Sequence, residues 1–127
     1  MSESLTLEEQ KEYLLSKIGA PVNFTYPEGE FSAYPRQGKL KDRFVVLDSD
    51  VDDVVYWNVI DLIKFEDYPE DWLRVTYYRY KKKEKKWVFA GQTSLSNPIS
   101  GFVQLFVDAI KEKEWMQMFF NEISKQC

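Results

Sequence analysis

Asp61 and Arg74 are charged residues set in runs rich in aromatic and β-branched residues, and such a pair can serve two chemistries. With aromatic walls and a Gly91 that leaves room, they would orient a small ligand, Asp61 as acid/base or ligand anchor and Arg74 as an anion clamp. Thr76, Tyr78, Phe89 and Thr93 complete that candidate group. Alternatively the two charges neutralise each other inside the fold, with Gly91 marking a bulge, and this is the expected reading.

The chain contains no histidine, which removes the usual near-neutral general base, the Ser/His and Cys/His pairs and the common zinc ligand sets. An enzyme would have to use carboxylate, lysine or tyrosine chemistry. A non-enzymatic protein is therefore the expectation, with no cofactor and no metal implied.

Other polar clusters carry weaker signals. The run Asp48-Ser49-Asp50-Val51-Asp52-Asp53 begins with the alternating carboxylates of a calcium loop. The glycine expected next is Asp53 and the closing bidentate glutamate is Val59, so a solvated turn is expected. Gln92 to Pro98 leads through hydroxyls and amides into a helix start, which ordinary capping explains without a bound anion.

Arg79, Lys81, Lys82, Lys83, Lys85 and Lys86 gather six cations against the single anion Glu84, flanked by Tyr80 and Trp87. Lysines on phosphates and aromatics on bases are the parts of a nucleic-acid binder. With a net charge of −4 for the whole chain, however, the remainder is strongly acidic and would repel a polyanion. A turn that keeps an aromatic hairpin soluble is the expected role, and nucleic acid is not the expected partner.

The elements that must position these residues follow from periodicity. Thr6-Leu7-Glu8-Glu9 is a capping box, after which Leu7, Leu14, Leu15 and Ile18 share a helical face and Gly19 and Pro21 stop the helix. From Phe31 the period becomes two, predicting strands over 31–36, 43–47, 54–65, 72–80 and 87–95. The separators are short and suit hairpins, so a meander is the simplest topology; it would place the acidic and lysine-rich turns at the same end of the sheet. Asn97-Pro98 then opens a C-terminal helical region, one helix or two, with apolar stripes at Ile99, Phe102, Val103, Phe106, Ala109 and Ile110 and at Trp115, Met116, Phe119, Phe120 and Ile123.

Pairing symmetrically about 66–71 opposes Asp61 to Thr76 and Trp57 to Tyr80, and pairing about 81–86 opposes Tyr80 to Trp87 and Tyr78 to Phe89. One face of the sheet is then aromatic with Asp61 and Arg74 in its middle; the other is aliphatic, with Ile60, Leu62, Leu73 and Val75. Two apolar faces call for cover on both sides.

A length of 127 residues with 5 Gly, 5 Pro and 30% charged residues fits one α+β domain over 1–127, built on a five-stranded antiparallel meander, open or curled toward a barrel. The lone Cys127, with no secretory leader and no long apolar run, reads as cytoplasmic and not membrane-bound. The leading functional expectation is a binding protein that engages a protein partner or a second copy of itself through aromatic surface on the sheet or the last helix. A small-ligand site at Asp61 and Arg74 is the alternative, followed by nucleic-acid binding through the lysine turn.

Overall fold

The Thr6 hydroxyl accepts from the Glu9 backbone N–H, and the Glu9 carboxylate accepts from that of Thr6, so the capping box forms and helix α1 (Leu7–Leu15) begins as its sequence directs. In this computed structural model, which describes residues 3–23, 37–66, 68–89 and 95–127, α1 is followed by five strands and two helices. The strands are β1 (Pro21–Asn23), β2 (Gln37–Val51), β3 (Val54–Phe65), β4 (Trp72–Lys81) and β5 (Lys86–Phe89); the helices are α2 (Ile99–Glu112) and α3 (Glu114–Gln126). All strand pairs are antiparallel in the order β1-β2-β3-β4-β5, a meander curled into a half-barrel.

Several bounds differ from the sequence expectation, each for a local reason. The strand expected over 31–36 lies outside the described residues; the first described strand is β1, which the alternation from Phe31 onward does not include. β2 is longer than 43–47 because residues on both sides also pair with β3, leaving only Asp52 and Asp53 in the β2–β3 turn. Asp52 takes φ 56°, a left-handed conformation that aspartate tolerates better than most residues. β5 is described over Lys86–Phe89; residues 90–94 of the strand expected over 87–95 lie outside the described residues, and Leu95 packs on the α2–α3 side of the molecule. Pro98 caps α2, with no side-chain cap from Asn97.

The β3–β4 register is displaced by two residues from the symmetric expectation: Asp61 faces Arg74, Val59 faces Thr76 and Trp57 faces Tyr78. A shift of two preserves which side each residue points to, so the aromatic and aliphatic faces stand. The β4–β5 pairs Tyr78 with Phe89 and Tyr80 with Trp87 are as expected.

Helices cover both faces. On the aromatic face α1 sets Leu14 against Val45, Val55, Trp57, Val59 and Tyr80. The buried line of α1 is Gln10 and Leu14, while Leu7 and Ile18 stay exposed. Gln10 is satisfied in this position: it accepts from the Trp57 indole at 2.9 Å and donates to the Leu5 carbonyl at 2.9 Å. On the aliphatic face Leu105 and Ala109 of α2 and Met116 of α3 pack on Phe44 and Ile60.

The helical region is two helices, separated at Lys113, whose φ −116° and ψ 123° are strand-like. Asp42, beside the irregularity between Leu40 and Asp42 in β2, holds this break in place. It accepts from the Trp115 indole at 2.8 Å and pairs with the Lys113 ammonium at 3.2 Å. Burial works against the Asp42 carboxylate, but hydrogen bonds from Trp115, the Arg43 backbone N–H and Lys113 outweigh it and hold Asp42 below its ordinary 3.8. A carboxylate with a lowered folded-state value contributes its stabilisation in full above its unfolded value and loses it as pH falls through the folded one. Asp42→Asn should lower the unfolding free energy at neutral pH by about 1 kcal/mol. It should also flatten the loss of stability between about pH 4 and pH 2, which urea unfolding across that range will measure.

Candidate functional site

Asp61 sits on the central strand β3 and is flanked on both sides by cations that the sheet register delivers: Arg43 from β2 and Arg74 from β4 are its direct cross-strand neighbours. Its carboxylate is 0% exposed and its oxygens are filled. Arg43 Nε donates to Oδ1 at 2.7 Å and Arg43 Nη2 to Oδ2 at 3.2 Å; Arg74 donates to Oδ2 from Nη2 at 2.8 Å and Nε at 3.2 Å. Two guanidinium groups on one carboxylate satisfy the condition under which a buried charge is tolerated.

Arg43 is the more deeply set of the two cations, with a side chain 2% exposed against 21% for Arg74. Its remaining hydrogen bonds run to the Leu14 carbonyl at 2.9 Å and the Tyr78 hydroxyl at 3.0 Å. Burial disfavours its charge, yet the hydrogen bonds and negative charge of Asp61, with a further contribution from Tyr78, outweigh burial and raise its pKa above the ordinary arginine value. Arg43 therefore joins α1, the central strand and the aromatic face through one side chain. The guanidiniums also lie over rings, Arg43 over Tyr78 at 5.1 Å and Arg74 over Phe89 at 5.3 Å.

Above this group is a cavity of about 430 Å³ between α1 and the sheet, with walls drawn from both edge strands. Arg43, Arg74, Tyr78 and Phe89 line it together with Trp87, whose ring stacks on Tyr13 at 5.1 Å and 11°. Of the candidate residues read from the sequence, the structure thus gathers Arg74, Tyr78 and Phe89 on the cavity wall, with Asp61 behind it. Thr76 is buried on the same face, its hydroxyl without a hydrogen-bond partner among the described residues, and is not part of the wall. Thr93 and Gly91 lie outside the described residues. Asp61, sealed and saturated with N–H donors, is an anchor for the arginines and is not placed to act as a general base.

Sequence reasoning missed Arg43, although it is the principal partner of Asp61. It also missed the cavity wall from α1, Tyr13 and Lys17. The only signal for Arg43 was a cation at the start of the strand predicted over 43–47, immediately before the apolar run of Phe44, Val45, Val46 and Leu47.

The lysine-rich turn joins β4 to β5 beside the acidic turn of β2 and β3. Lys82 pairs with Asp50 at 2.6 Å, Lys81 with Glu84 at 3.8 Å, and the Lys83 backbone N–H donates to Asp53 at 2.8 Å. Tyr80 is buried, and Trp87 packs against Tyr80 and Tyr13 and lines the cavity described above. Arg79 is half-buried, and Lys83, Lys85 and Lys86 are exposed. Asp48 accepts from Asn58 at 3.3 Å, and among the described residues no cluster of His, Cys, Asp or Glu is arranged to hold a metal ion. No helix among them is long and apolar enough to cross a membrane.

Comparison with protein-family models, curated proteins and solved structures finds no match, so the geometry of this chain alone carries the functional reading. The asymmetry between the two arginines gives a direct test. Arg43→Met leaves Asp61 buried with a single, partly exposed partner and should cost about 3–5 kcal/mol of unfolding free energy. Arg74→Met should cost about 1–2 kcal/mol, and equal losses by guanidinium chloride unfolding would refute the ranking.

Proposed function

We propose that this is a binding protein that engages another polypeptide, in the simplest case a second copy of itself, through the outer face of α2 and α3. The observation that carries this reading is the apolar surface that α2 directs away from the sheet. Ile99 is 85% exposed and Val103 56%. They border a groove of about 290 Å³ continued by Phe102, Phe106, Ile110 and Phe120.

Leu105 and Ala109 already pack on the sheet from the opposite side of α2, so this helix is apolar on more of its circumference than the sheet can cover. A helix apolar on both sides is ordinarily buried on both. Met118, Phe119 and Ile123 of α3 are also exposed, and the Phe119 ring meets Phe120, which lines the groove. Contiguous exposed apolar surface of this kind is characteristic of interaction sites, and one self-complementary face suffices to build a two-fold dimer. No reactive group is needed for such a role, in keeping with a chain without histidine.

Light scattering over a concentration series tests the proposal in its simplest form. A mass that rises toward the dimer, and that Val103→Asp returns to the monomer without lowering the melting temperature, is the expected outcome. A mass that stays at one chain at the highest attainable concentration would overturn self-association.

A further inference from the structure

The cavity beneath α1 belongs to the other face of the sheet and is independent of the α2–α3 surface. Its size lies within the range of small-molecule sites, about 300–1,000 Å³, and its polar groups are one-sided in character. Among the described residues that line it there are three cations, Lys17, Arg43 and Arg74, and no carboxylate; Asp61 lies behind the wall. Trp87 lines the cavity with its ring; its indole nitrogen is buried and not accessible from the cavity.

The rest of the wall is apolar. Leu14, Val22 and Leu40 line it together with the aromatic residues Tyr13, Tyr78, Trp87 and Phe89. Arg43 has already committed its N–H groups to Asp61, the Leu14 carbonyl and Tyr78, so the site offers the charge of the guanidiniums but few donors. That combination suits a planar, singly charged group on an apolar body and does not suit a dianionic phosphate, which demands more N–H groups.

We propose that this cavity binds a small organic carboxylate, with the acid group paired with Lys17 in the field of Arg43 and Arg74, and the apolar or aromatic body packed against the rings and aliphatic side chains of the lining.

Calorimetric titration of the full chain with 2-naphthoate, and with neutral 2-naphthamide for comparison, tests this. Naphthoate should bind at one site and the amide at least about tenfold more weakly. Lys17→Met keeps an apolar stem at an exposed position but removes the charge, and Lys17→Glu reverses it. Lys17→Met should weaken naphthoate by about tenfold and Lys17→Glu by more, without changing the melting temperature of the free protein, while Val103→Asp on the far face leaves the affinity as it was. Failure to bind naphthoate, equal affinity for the amide, an affinity unchanged in the Lys17 variants, or a loss caused by Val103→Asp would each overturn the proposal.

Discussion

A carboxylate sealed inside a β-sheet has to be met by cations, and the structure is organised around how Asp61 meets that requirement. Its position on the central strand lets one neighbour come from each side, Arg43 from β2 and Arg74 from β4. The same contact restricts register. Sliding either outer strand by one residue would carry its guanidinium to the opposite face and leave a buried charge short of partners, an error larger than any gain from rearranged apolar contacts. Arg43 then passes the constraint on to α1 through the Leu14 carbonyl, which fixes the helix over the aromatic face and creates the cavity between them.

The parts of this arrangement that were legible in the sequence are those written in local periodicity. Alternation from Val54 to Phe65 and from Trp72 to Tyr80 separated the two faces correctly, and because the true register differs by two residues the separation survived. Arg43 was illegible for an equally specific reason. Counted back from the turn at Asp52 and Asp53 with strict alternation, it falls on the aliphatic face. The irregularity between Leu47 and Ser49 reverses that parity and sets Arg43 beside Asp61. Gln10 was missed because helical spacing of apolar residues does not reveal a polar residue whose partner, Trp57, lies far along the chain.

The division between α2 and α3 belongs to the same category. Apolar stripes run on both sides of Lys113 and fit a single helix or a pair equally well. What decides between them is tertiary: Asp42, exposed to the helices beside a displaced residue of β2, draws the Lys113 ammonium and the Trp115 indole to itself and leaves Lys113 in an extended backbone conformation. The break also turns α3 back so that Phe120 meets Phe106, their ring centroids 5.9 Å apart. The outer apolar groove is therefore a product of that break.

The anchoring of the N-terminal segment bears on the order of assembly. The Leu5 backbone N–H donates to the Tyr80 hydroxyl across a separation of 75 residues, and Trp57 must be in place before Gln10 can be satisfied. The helix that precedes the strands in the chain thus has no completed docking surface until the fourth strand has been synthesised and zipped onto the third, and it is among the last pieces to settle. Until then Leu14 and the rings it will shelter stand open to water, and the interval before α1 closes over them is when the nascent chain has most need of protection from sticking to its neighbours.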